Sequence, residues 1–171
     1  MAARTQVSPA RAAAFEVLQR VFEQEAYADR ALRAAAAELD ERDRALARRL
    51  AFGTVQRVRT LDHAIGALGR RGVEKLDASV RAALRLGAYQ LGYMDGVPRY
   101  AAVNESVELV RAAGPERAVA FTNAVLRRVA EGLRPLLEAL PEGSAHGTDQ
   151  CEVDFLSCDR VHPTRRLRLD L

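Results

Sequence analysis

The sequence has little of several residue types on which other classes of protein depend. It contains no tryptophan, aromatic residues make up 5% of it, and its two cysteines, Cys151 and Cys158, both lie near the C-terminus. The low aromatic content argues against a β-sandwich, whereas a core of Ala, Leu and Val suits closely packed helices. This cysteine usage does not require an oxidising compartment.

Long apolar runs are missing as well. The sequence has no stretch of about 18 uncharged apolar residues, the length that a transmembrane helix needs. The N-terminal segment MAARTQVSPARAAAF has no uninterrupted apolar stretch of signal-peptide length. We therefore expect a cytoplasmic protein with no membrane partner.

Lysine is nearly absent from the basic residues. Lys75 is the only lysine, every other basic residue is arginine, and the formal net charge is +3. The planar guanidinium group recognises phosphates and bases, but a GC-rich genome enriches arginine and alanine for unrelated reasons. A mild net charge is compatible with nucleic-acid binding without proving it. Only clustered arginines therefore count as evidence for a binding site.

Apolar residues repeat with helical spacing through most of the first 140 residues, and no segment before residue 150 has the period of two that marks a strand. The pattern predicts an all-α bundle of about seven helices. We expect the second helix to span about residues 29–39, and a short addition, interrupted by Pro135, to span residues 133–140. The signals for helix starts and breaks are Ser8-Pro9, Asp40, Asp77, Asp95-Gly96-Val97-Pro98 and Gly114-Pro115.

Three segments carry a recognisable pattern: GAYQL, YMDGVPRYAAVNESVEL and FTNAVLRRV. They resemble the NusB-like domain family, most of all the N-terminal domain of bacterial RsmB-type rRNA cytosine-5 methyltransferases and more distantly the antitermination factor NusB. The resemblance extends over about residues 8–131. It implies an RNA-binding domain whose partners are rRNA or its precursor, together with a ribosomal protein or a methyltransferase domain.

The candidate RNA ligands are arginines. The resemblance implies that the start of the first helix, with Arg4 and Arg11, lies against RNA, and a helix N-terminus does offer free N–H groups and a partial positive charge to phosphate. Arg48, Arg127 and Arg128 are further candidates. Their alternative role is that of solvated charges, which for Arg127 and Arg128 also interact favourably with a helix C-terminus.

A second group of polar residues lies inside or beside the apolar stripes: Gln90, Asn104, Glu105 and Asn123. Burying an amide costs free energy unless it is hydrogen-bonded. We interpret these four residues as specified contacts between helices. For Asn123, contact with RNA is the alternative.

The sequence contains no recognisable catalytic motif, neither a Gly-rich turn for nucleotides nor the motifs G-x-S-x-G and H-E-x-x-H. The methyltransferases that it resembles use a separate S-adenosylmethionine domain with cysteine nucleophiles, one of which follows a proline. Neither Cys151 nor Cys158 follows a proline. We therefore predict that the chain is not an enzyme and has no cofactor.

After Pro141 the composition changes, which predicts a helical domain over residues 1–140 and an atypical, poorly ordered tail over residues 141–171. The tail contains His146, Cys151, Cys158 and His162. Their spacing departs from the C-x2–4-C pairs of compact zinc sites, so no metal is predicted.

Two questions stay open at this level. The chain is either a stand-alone factor or a truncated methyltransferase. Instead of binding RNA, an Ala/Leu-rich helical module of this kind could dock other proteins.

Overall fold

The computed structural model describes residues 7–138, and within that range the chain forms seven α-helices, one 3-10 helix and no strand. The predicted all-α fold of about seven helices is confirmed. The helices are α1 (Pro9–Glu23), α2 (Ala28–Ala35), α3 (Glu41–Gln56), α4 (Val58–Gly69), α5 (Ala78–Tyr93), α6 (Arg99–Ala113) and α7 (Arg117–Glu138), with the 3-10 helix (Val73–Lys75) between α4 and α5.

Two helix ends differ from the prediction. Helix α2 ends at Ala35, four residues early, and the guanidinium of Arg44 donates hydrogen bonds to the carbonyls of Ala36 (3.3 Å) and Leu39 (2.7 Å) beyond it. These bonds satisfy carbonyls that no longer have a helical partner. Helix α7 continues through Pro135 to Glu138, because a proline in the last turn removes one hydrogen bond without splitting the helix.

Helix α5 is the centre of the bundle. It contacts α1, α3, α4, α6 and α7, and every residue from 82 to 90 is buried. A helix that is covered on all sides is mostly apolar or small, as in the sequence AALRLGAYQ, and the two buried polar side chains of that segment, Arg85 and Gln90, are hydrogen-bonded. The largest fully buried side chains include Leu84 and Leu86 on α5 itself and, on the helices that contact it, Leu18, Leu50, Leu61 and Leu126.

Gly53 allows α3 and α5 to approach closely. A Cβ atom added at this position would overlap the ring of Tyr89. That ring cannot move aside easily, because Tyr89 is 6% exposed and its ring stacks on Tyr93 with the centroids 5.6 Å apart. The glycine, which weakens an isolated helix, is therefore required by the packing of its neighbour.

We expect Gly53→Ala to lower the free energy of unfolding by about 2 kcal/mol, because overpacking outweighs the better helix propensity of alanine. Urea unfolding followed by circular dichroism would measure it. Gly66→Ala in α4 is the matched control, since the nearest atom to its new Cβ is the carbonyl oxygen of Arg71 at 4.0 Å. The control should stabilise the protein by up to about 1 kcal/mol. If both variants were stabilised equally, the packing of the Tyr89 ring on α3 would be refuted.

Candidate nucleic-acid interface

A buried polar network joins the start of α1 to α5 and α6. The Nε atom of Arg11 donates to Oε1 of Gln90 at 2.6 Å, and its Nη1 atom lies 3.3 Å from Oε1 of Glu105. The other carboxylate oxygen of Glu105 accepts a hydrogen bond from the backbone N–H of Ser8 at 2.8 Å. The side chains of Arg11 and Glu105 are only 11% and 12% exposed, so the two charges neutralise each other away from solvent.

This network changes the interpretation of Arg11, which we predicted to contact RNA. Its guanidinium is occupied by Gln90, Glu105 and the hydroxyl of Ser8 (3.0 Å), so it is not presented to a phosphate. The reason is that α6 covers the start of α1 and supplies a carboxylate there. Gln90 and Glu105 lie at contacts between helices, whereas Arg4 lies outside the residues that the structure describes.

The two asparagines, Asn104 and Asn123, do not form such contacts between helices. Asn104 is exposed, so our interpretation of it as a buried helix contact is wrong; its neighbours Val103 and Glu105 are the residues that face the core. Asn123 is half-buried, and its side chain forms no hydrogen bond with another described residue. The buried polar residue in this part of α7 is Thr122, whose hydroxyl donates to the carbonyl of Ala118 at 2.8 Å.

The end of α4 packs against the middle of α7. A Cβ added at Gly69 would lie 3.3 Å from a methyl carbon of Val125, and one added at Gly132 would lie 2.8 Å from a methyl carbon of Leu68. Helix α4 therefore meets α7 between residues 125 and 132. Both glycines serve this close approach.

Two pairs of arginines lie within a few residues of this crossing. Arg70 and Arg71 follow the last residue of α4, while Arg127 and Arg128 lie in the segment of α7 that α4 contacts. All four are exposed, and we call them the four-arginine cluster. Arg70 adopts a left-handed backbone conformation, with φ of 56°, where the chain turns away from α4.

The charges of the four-arginine cluster are not neutralised within the described part of the chain. Arg70, Arg127 and Arg128 form no ion pair or side-chain hydrogen bond with residues 7–138, and Arg71 donates one hydrogen bond to the carbonyl of Lys75 at 3.3 Å. By contrast, Arg85 forms two bonds of 2.7 Å with Asp62. The cluster therefore presents guanidinium groups that are free to bind an anion.

Arg48 lies at a different place. Its guanidinium is 5.5 Å from the ring centroid of Phe52, and it lines a groove of about 550 Å³ between α2 and α3. Arg33 and Arg44 line the same groove, but Arg33 is paired with Asp29 and Arg44 binds carbonyls of the α2–α3 turn. The structure thus does not bring Arg48 together with Arg127 and Arg128.

Sequence reasoning missed several long-range contacts of arginine, of which two involve buried or half-buried residues of α5. Arg85 pairs with Asp62, and the guanidinium of Arg57 lies 4.3 Å from the ring centroid of Tyr93. In each case the partner is more than twenty residues away, and neither side chain has a local pattern that identifies it. Only the packing of α5 against α3 and α4 defines these pairs.

Neither a metal site nor a membrane span is found among residues 7–138: no three His, Cys, Asp or Glu side chains are grouped to hold a metal ion, and no helix is long and apolar enough to cross a bilayer. The four possible zinc ligands of the tail lie outside the described residues.

Comparison with known proteins identifies the family. The NusB family model matches residues 8–131, which include α1 to α6 and most of α7. The chain belongs to the NusB family. This result agrees with the resemblance that the sequence motifs indicated over the same residues.

Two groups of NusB-family relatives are similar in sequence. A probable ribosomal RNA small subunit methyltransferase B of Synechocystis is 39% identical over 121 residues, which is 70% of this chain and 27% of that protein. The transcription antitermination protein NusB of Stenotrophomonas maltophilia is 39% identical over 85 residues, which is 50% of this chain and 54% of that protein. The matched region thus covers about a quarter of the methyltransferase relative and about half of this NusB.

Solved structures of NusB share the fold. NusB from T. maritima superposes with a TM-score of 0.67 at 24% identity, covering 75% of this chain and 93% of that one. A complex of the antitermination factors NusB and NusE with double-stranded RNA gives the same TM-score and identity, covering 72% of this chain and 95% of that one. The described residues thus have the fold of NusB.

Proposed function

We propose that this chain binds RNA, with the four-arginine cluster as its phosphate-binding surface. The observation that carries the proposal is the crossing of α4 and α7, because Arg70 and Arg71 directly follow Gly69, and Arg127 and Arg128 lie within one helical turn of its contact residue Val125. Guanidinium groups that lack acidic partners bind phosphate oxygens by charge-assisted hydrogen bonds. Contacts of this kind supply most of the affinity of proteins for polynucleotides.

The relatives support the choice of RNA and suggest its class. One relative is a probable rRNA methyltransferase, and one structure with this fold contains NusB, NusE and double-stranded RNA. We therefore propose rRNA or its precursor as the ligand, and a ribosomal protein or a methyltransferase domain as the partner. In this proposal the protein acts in the cytoplasm, and residues 1–140 form a domain that binds the RNA but catalyses no reaction. Residues 141–171 form a separate tail.

A salt titration tests the proposal. Fluorescence anisotropy would measure the affinity of the chain for labelled single-stranded rRNA fragments between 25 and 400 mM salt. Each phosphate contact with a single strand contributes a slope of about −0.7 to log K against log salt, so four contacts predict a slope of about −3. If no RNA binding is detected even at the lowest salt, the protein-docking alternative is favoured instead.

Glu131 offers a finer test of the proposed surface. It is exposed on α7, within one turn of both Arg127 and Arg128, and forms no ion pair with another described residue. Its charge should repel a phosphate bound there, so we expect Glu131→Gln to raise RNA affinity roughly twofold at low salt, and less at high salt.

The control for that variant is Glu116→Gln, which makes the same change in net charge at the opposite end of α7. Glu116 is exposed, just before the first residue of the helix. We expect no change in RNA affinity from it. Equal gains from both variants would show that RNA responds to the total charge of the protein and not to the four-arginine cluster.

A further inference from the structure

Tyr100 is the most exposed large hydrophobic side chain among residues 7–138. It is 72% exposed in the first turn of α6, whereas Tyr27, the next, is 42% exposed. Asn104 lies one turn later on the same face of the helix, and it too is exposed. Its amide forms no hydrogen bond with another described residue. An aromatic ring and an amide therefore stand side by side on the outer surface.

The charges near this ring favour an anionic partner. Both glutamates of α6 are paired with arginines, Glu105 with Arg11 and Glu108 with Arg111. Arg99, which precedes Tyr100, is exposed and has no acidic partner within the described residues. Helix α6 consequently presents one uncompensated positive charge and no uncompensated acid.

An ion pair joins the exposed side of α7 to the loop before α6. Arg134 lies seven residues after Arg127 on the same side of α7, a distance of about 10 Å along the helix. Its guanidinium is 3.4 Å from a carboxylate oxygen of Asp95, in the loop that leads into α6 at Arg99. The exposed side of α7 therefore connects the cluster to the start of α6.

We propose that Tyr100 stacks on an unpaired base of the bound RNA and that Asn104 forms a hydrogen bond with the same nucleotide. This inference rests on the proposed RNA-binding function. Aromatic rings stack on bases of any sequence, and an amide can both donate to and accept from a base edge. In a duplex the bases are already stacked on one another, so the chain should prefer single-stranded RNA.

Tyr27 is a suitable control because its surroundings differ. The guanidinium of Arg30 lies 5.3 Å from the centroid of the Tyr27 ring, which covers one face of that ring. Tyr27 also lies before α2, in a different part of the fold from α7. Removing this ring should therefore have no effect on RNA binding.

The experiment compares a 12-nucleotide single-stranded RNA with a duplex of the same length, by fluorescence anisotropy on the full chain. We expect Tyr100→Ala to weaken binding of the single strand about tenfold and to leave duplex binding and the salt slope unchanged. Tyr100→Phe should bind within twofold of the wild type, since it keeps the ring, and so should Tyr27→Ala. Asn104→Ala should cost about fivefold on the single strand.

The failures of the two proposals are distinguishable. If the wild-type chain binds neither RNA at low salt, the proposed function fails and the stacking role fails with it. If the wild type binds RNA with the expected salt dependence, but Tyr100→Ala binds the single strand equally well, only the stacking role is overturned. If Tyr100→Ala weakens binding of the single strand and of the duplex equally, the stacking role is overturned too. If Asn104→Ala binds the single strand with wild-type affinity, the hydrogen bond assigned to Asn104 is overturned.

Discussion

Replacing Glu105 with alanine should lower the free energy of unfolding by about 3 kcal/mol. The substitution leaves the guanidinium of Arg11 in a site where its side chain is 11% exposed, without the carboxylate that neutralises it. It also removes the acceptor for the backbone N–H of Ser8. A buried charge that loses its partner costs much more than the pair itself contributes. Urea unfolding followed by circular dichroism would measure the loss.

Glu108→Ala is the matched control for this variant. Glu108 lies three residues later on the same helix and also pairs with an arginine, but the side chain of its partner Arg111 is 35% exposed. The Glu108 side chain itself is 19% exposed, so this pair is more open to solvent than the Arg11–Glu105 pair and its loss should cost about 1 kcal/mol. If Glu105→Ala costs no more than Glu108→Ala, the network does not hold α1 to α6.

The same network reverses an expectation for Arg11. The family resemblance implies that Arg11 lies against RNA, and on that basis Arg11→Ala would weaken RNA binding in a folded domain. The structure predicts the opposite pattern: a loss of stability, because Gln90 and Glu105 lose their partner, with RNA affinity unchanged in the molecules that remain folded. Measuring the RNA affinity of Arg11→Ala well below its melting temperature distinguishes a loss of binding from a loss of stability.

The fold was predictable because the signals for it are local. Apolar residues that recur every three or four positions and breaks such as Gly114-Pro115 act within a few residues of chain, and they indicated an all-α fold of about seven helices. The boundary between α3 and α4 at Arg57 was not among the predicted breaks. The end of α2 was not predictable, because Arg44, which belongs to the next helix, satisfies the carbonyls that follow it. No signal within α2 itself marks that end.

The orientation of Asn104 and Glu105 shows why the candidate site was harder to predict from the sequence than the fold. The apolar stripe of α6 identifies one buried face, yet Glu105 lies off that stripe and is buried because α1 covers a second face. A single helical period does not show that a helix has two neighbours. The sequence therefore placed two adjacent polar residues together, although one points to solvent and the other into the bundle.

Only half of the four-arginine cluster could be predicted from the sequence. Arg127 and Arg128 stood out as a pair, whereas Arg70 and Arg71, more than fifty residues away, gave no sign that they belong to the same surface. Gly69 and Gly132 indicate that something approaches closely, but a glycine does not identify its neighbour. Only the crossing of α4 and α7 joins the two pairs.

Removing Arg127 and Arg128 together should weaken RNA binding about 20-fold at 0.1 M salt and reduce the magnitude of the salt slope by about 1.4, since each phosphate contact to a single strand contributes about 0.7. Both side chains are exposed and without partners among residues 7–138, so the double alanine variant should unfold at the same temperature as the wild type. Anisotropy titrations at several salt concentrations, with a thermal melt of each protein, would measure both quantities.

The double variant Arg48→Ala with Arg49→Ala is matched to it: two adjacent, exposed arginines on a helix, with the same loss of net charge. Because Arg48 lies over Phe52 beside the α2–α3 groove, we expect this pair to change RNA affinity less than twofold. Equal losses from the two double variants would mean that RNA is attracted by the total charge of the protein, and the crossing of α4 and α7 would then lose its role as the binding surface. If the Arg48 and Arg49 double variant loses more RNA affinity than the Arg127 and Arg128 double variant, the RNA-binding surface lies on α3 instead.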